Sequence, residues 1–409
     1  MPTVGAVPRE FQVFCKPAGS ACNLSCRYCY YLGKPAIRTG LGPGPVTGRS
    51  GHQPNAEGRS PQSMPVPPRM PLSLLEKYIG DHIAASPDEL IRFSWHGGEP
   101  TILGVDYYRK AVDIERRLCP AGRTIANGMQ TNGTLLDDNW GRFLAGQGFA
   151  VGLSLDGSRS VHDQYRLRRD GSSAFSDTMR GYGVLRRHGV PVDILCVVGA
   201  HNVRRPAEVY GFFKSIGAAC VSFLPLVERR SAAPGGVSPE SVQPDAWGDF
   251  LCAILDEWLA GDIGRIKVQV IEEAARTAFG QEHSLCIFRP VCGDIPVLER
   301  NGDLYSCDHF VDPEHLLGSL RESPLAALLD SPAQRAFGQA KLERLPRVCR
   351  ECDVRDMCNG ECPKNRFALA PDGEPGLSYL CPGYKKFFRR ARPFVAEVAA
   401  VWRRQKAKS

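Results

Sequence analysis

The amino-acid sequence predicts an α/β protein of six strand–helix units, followed by a cysteine-rich region. Three observations support this: helical and strand patterns alternate up to residue 226, polar motifs follow several strands, and eight cysteines crowd the C-terminal third. Strands that alternate with helices are parallel and joined by right-handed crossovers. The alternation by itself allows either a partial barrel or a doubly wound sheet.

The units follow one another at short intervals. The first strand is predicted where β-forming residues alternate, at 11–15. Later strands are predicted at 91–95, 124–130, 150–155, 192–198 and 220–226. The helices between them are predicted at 72–85, 105–118, 136–145, 175–188 and 205–215, with further helices at 247–259 and 391–406.

Composition divides the chain into four parts. Residues 1–230 form the strand–helix domain. Within it, residues 34–71 are crowded with Pro and Gly and lack a hydrophobic period, which predicts a disordered insertion. The other predicted parts are a linker and helix at 231–266, the cysteine-rich domain at 267–390 and a basic C-terminal helix at 391–409.

The overall composition favours a cytoplasmic protein. No apolar run is long enough to cross a bilayer, and residues 1–10 lack the pattern of a secretory signal. Sixteen cysteines in such a chain indicate metal or cluster ligation in a reducing compartment, since disulfide frameworks belong to exported proteins. We therefore expect no membrane association.

The positive charge of the chain is concentrated at its C-terminus. The formal charge is +7, yet residues 385–409 contain nine Lys or Arg and a single acid, Glu397, so the remainder is close to neutral. This tail is interpreted as a solvated helix end, with an acidic partner as the alternative. No nucleic-acid-binding motif accompanies it, and we expect no nucleic acid.

Three cysteines spaced C-x3-C-x2-C follow the first strand: Cys22, Cys26 and Cys29. Thiolates hold iron–sulfur clusters, and three of them leave one iron of a four-iron cubane without a protein ligand. That open iron suits a small molecule that chelates through an amine and a carboxylate. A zinc site or scattered buried thiols are the alternatives.

Polar residues after other strands fit the same small molecule. The carboxyl ends of strands carry the active site in parallel α/β barrels. In Gly97-Gly98-Glu99 the glycines allow close backbone approach, and Glu99 can hold an ammonium group. Ser154 and Asp156 can form hydrogen bonds with hydroxyl groups, and Arg166 can pair with a carboxylate. Taken singly, Asp156-Gly157 is more often a turn, and Arg166 can be a surface salt bridge.

The cysteine triad, with aromatic Tyr28 before the third cysteine, resembles the signature of the radical SAM superfamily. The resemblance implies a partial (β/α)6 radical SAM barrel, a [4Fe–4S] cluster on the triad and S-adenosyl-L-methionine (SAM) on its open iron. The cofactor-binding residues implied are Tyr28, Gly97, Gly98, Glu99, Ser154, Asp156, Arg166 and Val227.

The run Cys349-x2-Cys352-x5-Cys358-x3-Cys362 resembles the SPASM domain, which carries two auxiliary clusters. Three [4Fe–4S] clusters are therefore expected in all, with structural zinc as the alternative. The first auxiliary set implied is Cys286, Cys292, Cys307 and Cys362, and the second is Cys349, Cys352, Cys358 and Cys381.

These motifs together are most similar to the anaerobic sulfatase-maturating enzymes, which convert a Cys or Ser of a sulfatase into Cα-formylglycine. The resemblance implies that Asp308, next to Cys307, is the catalytic base. The implied partners are an unfolded or nascent sulfatase with a C-x-P-x-R or S-x-P-x-R motif, and a reductant such as flavodoxin or ferredoxin.

Two other functions stay open at this point. One is a SPASM-type peptide maturase that forms a crosslink or another modification on a ribosomal peptide. The other is a non-catalytic iron–sulfur or zinc scaffold that never cleaves SAM.

Overall fold

The computed structural model describes residues 10–29, 31, 69–230 and 236–406. The predicted insertion at 34–71 lies outside the described residues except for its last three. Of these, Met70 is buried, and its backbone N–H donates to the carbonyl of Pro17.

Seven parallel strands form the wall of a partial barrel, and each lies beside its neighbour in the chain. A doubly wound sheet would instead reverse its strand order at a switch point. The order therefore confirms the predicted barrel and excludes the alternative. The strands are β1 (Phe14–Lys16), β2 (Leu90–Trp95), β3 (Thr124–Thr131), β4 (Ala150–Ser154), β5 (Val192–Val198), β6 (Cys220–Pro225) and β7 (Lys267–Val268). The last of these was not predicted, because two residues carry no periodicity.

Helices cover the outer face of this wall. Each presents an apolar stripe to the sheet: α2 buries Tyr108 and Val112 and exposes Arg116. The helices of the barrel are α1 (Leu72–Ala85), α2 (Val105–Leu118), α3 (Asp138–Gly146), α4 (Arg159–His162), α5 (Phe175–Arg187), α6 (Pro206–Ser215), α7 (Pro244–Gly261) and α8 (Gln269–Arg276). The predicted helix at 72–85 has the observed bounds of α1.

The cysteine-rich region continues the same sheet on its other side. Strand β8 (Val297–Glu299) pairs in parallel with β1, and β9 (Asp303–Tyr305) and β10 (Leu316–Ser319) follow antiparallel. In this register Lys16 lies opposite Glu299. Ten strands therefore form one sheet, which connects the first strand of the barrel directly to the C-terminal region.

Short helices and a small hairpin complete the C-terminal region. They are α9 (Leu325–Leu329), α10 (Pro332–Glu343), α11 (Arg347–Arg350), α12 (Arg355–Cys358), β11 (Ala368–Leu369) and β12 (Pro375–Leu377). The last helix, α13 (Cys381–Lys406), begins ten residues earlier than predicted and packs against α7. Gly383 makes this close packing possible, because a Cβ there would collide with the carbonyl of Pro244.

No helix in the described part of the chain has both the length and the apolar character needed to cross a membrane.

Candidate active site

A cavity of about 250 Å³ lies at the carboxyl ends of the barrel strands. It is lined both by the barrel and by the C-terminal region. The predicted residues that reach it are Cys22, Cys26, Tyr28, Cys29, Gly97, Gly98, Glu99, Ser154, Arg166 and Asp308. The fold thus brings ten predicted residues, dispersed over the sequence, to one surface.

The loop with the three cysteines is held open toward the cavity by backbone pairing with a later segment. Ser25 and Arg27 donate their backbone N–H groups to the carbonyls of Leu167 and Tyr165, at 2.8 and 2.9 Å. Burial raises the pKa of Cys22 to about 12 and that of Cys26 to about 11. Iron that binds there must therefore displace protons, which couples cluster binding to pH.

The Gly-Gly-Glu motif supports the start of this loop through backbone hydrogen bonds. Gly98 and Glu99 donate backbone N–H groups to the carbonyls of Gly19 and Ala21, at 2.7 and 2.8 Å. A Cβ on Gly98 would collide with the Ala21 carbonyl, so only glycine fits. The Glu99 carboxylate is buried and accepts hydrogen bonds from Thr101, Thr131 and Asn132. Burial raises the pKa of Glu99, and these bonds oppose that rise.

Asp156 does not line the cavity but lies behind Arg166. Its carboxylate is fully buried and accepts hydrogen bonds from Arg166 Nε at 2.9 Å and from the Tyr28 hydroxyl at 2.6 Å. Burial acts to raise the pKa of Asp156, but the charges of Arg166 and His162 and the hydrogen bonds from Arg166 and Tyr28 together outweigh it and hold that pKa below its usual value. Asp156 thus fixes two residues that do face the cavity.

Val227 is likewise absent from the cavity wall. It is 1% exposed and belongs to the hydrophobic core, whereas its neighbours Leu226 and Glu228 line the cavity. Contact between Val227 and SAM stays a prediction.

The eight C-terminal cysteines fall into two groups. Burial raises the pKa of Cys307, Cys362, Cys358 and Cys381, and neighbouring thiols add to the effect. In one group the charges of Cys286 and Cys292 raise the pKa of Cys307, and those of Cys286 and Cys307 raise the pKa of Cys362. In the other group the charges of Cys349 and Cys381 raise the pKa of Cys358, and those of Cys349 and Cys352 raise the pKa of Cys381. This grouping has the same members as the two predicted ligand sets.

A tight turn separates the two groups where the chain passes from one to the other. Asn359, Gly360 and Glu361 have positive φ angles of 46°, 74° and 60°. This left-handed stretch directs Cys358 toward one group and Cys362 toward the other. Arg366 stabilises the turn by donating to the carbonyls of Asn359, Gly360 and Glu361.

The thiols suit iron–sulfur clusters. A [4Fe–4S] cluster is held by thiolates, four when every iron has a protein ligand. The two groups of four thiols fit one such cluster each, and the open loop with three cysteines fits a cluster that keeps one iron free for another ligand.

Asp308 reaches the cavity from the turn after β9, and it is surrounded there by residues that no sequence motif singled out. Its carboxylate contacts the ammonium of Lys16, and Tyr31 and His96 line the cavity with them. Burial lowers the pKa of His96 to about 4, so its imidazole is neutral at neutral pH. The sequence feature that could have indicated this contact is Lys16, a charged residue at the end of a buried strand.

Comparison with protein families now defines the class. Residues 17–213 match the radical SAM superfamily, and residues 292–353 match an iron–sulfur cluster-binding domain. The chain is therefore a radical SAM enzyme with a SPASM domain. The matched ranges fall within the predicted parts 1–230 and 267–390, whose boundaries stay a prediction.

Full-length relatives define the family. The chain is 37% identical to the serine-type anaerobic sulfatase-maturating enzyme of Bacteroides thetaiotaomicron, over 96% of this chain and 92% of the relative. It is 26% identical to the cysteine-type enzyme of Clostridium novyi, over 93% and 95%. The structure described as native anSMEcpe with bound AdoMet and Kp18Cys peptide superposes with a TM-score of 0.81 at 26% identity, covering 95% of this chain and 99% of that one. This chain belongs to the anaerobic sulfatase-maturating enzymes.

Proposed function

We propose that this enzyme oxidises a serine of its sulfatase substrate to Cα-formylglycine. Radical SAM oxidation of a sulfatase Cys or Ser to formylglycine is the activity of the family. The preference for serine is supported by relatedness, since the chain is 37% and 35% identical to serine-type relatives but 26% and 27% identical to cysteine-type ones.

The enzyme uses [4Fe–4S] clusters and SAM. In our proposal Cys22, Cys26 and Cys29 hold the cluster that binds SAM, and the two groups of four thiols hold one auxiliary cluster each. When bound, these groups supply the one-electron chemistry that removes a hydrogen atom from Cβ of the target residue and takes up the remaining electron.

The residues of the cavity wall bind and orient SAM. Glu99 faces the cavity as a buried carboxylate suited to an ammonium, and Ser154 offers a hydroxyl. Arg166 offers a guanidinium that Asp156 holds in place. The pairing supports a positioning role for Asp156 in place of direct contact with ribose.

Asp308 takes the proton in this proposal. Once its Cβ hydrogen is gone, the hydroxyl of the target serine is a far stronger acid, so a carboxylate is basic enough to accept its proton. The cavity position of Asp308, next to Cys307 of the first auxiliary group, supports this role. A positioned general base contributes about 10²–10⁴ in rate.

The finer statements about partners and location are also proposals. We propose a substrate motif of the S-x-P-x-R or C-x-P-x-R type, presented by an unfolded or nascent sulfatase, and flavodoxin or ferredoxin as reductant. A cytoplasmic location is supported by the chain's sixteen cysteines, all of them free thiols.

A peptide assay tests the activity. Reconstituted enzyme is incubated anaerobically with SAM, reductant and matched peptides that carry S-x-P-x-R or C-x-P-x-R. We expect the serine peptide to lose two hydrogens by mass and to be converted faster than the cysteine peptide. SAM cleavage to 5′-deoxyadenosine with neither peptide converted would instead favour a crosslinking peptide maturase, and no SAM cleavage would favour a scaffold.

A further inference from the structure

The wall of the active-site cavity contains a buried cation with no role in the reaction as described so far. Lys16 is the last residue of β1 and is 1% exposed. Its ammonium contacts the carboxylate of Asp308, whose side chain is 14% exposed. The two residues are 292 positions apart and come from the barrel and the C-terminal region.

Other residues hold Lys16 rigidly in place. Its Nζ lies 3.5 Å from the centre of the Tyr31 ring, a close cation–π contact. The Tyr31 hydroxyl donates a hydrogen bond to the carboxylate of Glu299, and both residues are buried. Glu299 lies opposite Lys16 in the β1–β8 pair, so the sheet itself sets this arrangement.

Asp308, by contrast, lies on a turn and not on a strand. Regular sheet pairing ends at Tyr305, and residues 308 and 309 form the turn before β10. Sheet pairing therefore does not fix the direction of the Asp308 side chain. Lys16, in contrast, projects from β1, a strand that is paired on both sides. A rigid cation facing a carboxylate on a turn can decide where that carboxylate points.

We propose that Lys16 is a positioning residue that holds the Asp308 carboxylate where it accepts the proton of the substrate. The proposal rests on the proposed role of Asp308 as the base. Lys16 acts through Asp308, so it affects the step after hydrogen abstraction. Misplacing a reacting group by about 1 Å can cost about 100-fold in rate.

Lys16→Met tests this, because it keeps an unbranched apolar stem and removes the charge. We expect reconstituted Lys16→Met to contain wild-type iron and to cleave SAM, while formylglycine formed per 5′-deoxyadenosine falls about 10- to 100-fold. Lys16→Arg, which keeps the charge, should recover part of this ratio. Lys77→Met serves as the matched control, since Lys77 is partly exposed and pairs with Asp81 on α1.

A double-mutant cycle separates positioning from general support of the fold. If Lys16 acts through Asp308, adding Lys16→Met to Asp308→Asn should lower the formylglycine ratio no further. A wild-type ratio in Lys16→Met, or an additional fall in the double variant, would overturn the proposal.

Two further outcomes are distinct from these. Loss of iron or of SAM cleavage in both Lys16→Met and Lys16→Gln would assign Lys16 a structural role and also overturn the proposal. A wild-type ratio in Asp308→Asn alone would instead remove Asp308 as the base, which is a failure of the proposed function.

Discussion

The buried ion pair between Asp156 and Arg166 allows a direct test of how the SAM site is stabilised. Asp156→Asn keeps the shape of the side chain and removes its charge. The variant leaves Arg166, whose side chain is 8% exposed, as a buried cation without its counter-charge. It also places an amide donor where Arg166, Tyr28 and the Val197 backbone all donate.

The size of the effect follows from this burial. The Asp156 side chain is 0% exposed, and Arg166 donates to it through two nitrogens, at 2.9 and 3.2 Å. Removing one partner of a buried pair costs about 3–5 kcal/mol. Replacing both partners by apolar residues, as in Asp156→Leu with Arg166→Met, should cost less, because no charge then stays buried alone.

Urea unfolding of the reconstituted holoenzyme measures the free energy of unfolding of each variant. Asp353→Asn is the matched control, because Asp353 forms an exposed pair with Arg389 and its loss should leave the midpoint unchanged. The affinity for SAM should fall in Asp156→Asn, since Arg166 lines the cavity. An unfolding midpoint of Asp156→Asn equal to that of wild type and control would refute the reasoning.

Three further predictions concern the clusters, the base and a buried acid. Replacing Cys22, Cys26 and Cys29 together by Ala should remove about one third of the iron and all SAM cleavage, and residual 5′-deoxyadenosine would contradict this assignment. Asp308→Asn should keep its iron and still transfer deuterium from a Cβ-labelled peptide to 5′-deoxyadenosine, while formylglycine falls about 10²–10⁴-fold; an undiminished yield would exclude Asp308 as the base. Burial raises the pKa of Glu115 to about 7, above its value in the unfolded chain, so the folded state loses stability as pH rises toward 7. Glu115→Gln should therefore stabilise the holoenzyme more at pH 8 than at pH 6, and an equal shift of the urea midpoint at both pH values would show that the carboxyl does not titrate in this way.

Much of the site followed from local sequence. The cysteine spacings and the Gly-Gly-Glu motif were recognisable because cluster and SAM binding require particular residues at short, fixed intervals, and Asp308 was singled out by the family resemblance. The alternation of strands and helices predicted the barrel units, since each unit has its own hydrophobic period. Strands of two or three residues, such as β7 and β8, have too few positions to show a period.

Only the tertiary structure decided how distant segments meet. Asp156 follows a strand like the other motif residues. The fold places Arg166 within hydrogen-bond distance of it, so Asp156 positions Arg166 and does not itself line the cavity. The pairing of β8 with β1 extends the barrel sheet into the C-terminal region and brings Lys16 to Asp308. No local pattern encodes that contact, because the residues are 292 positions apart and meet only when both segments pack around one cavity.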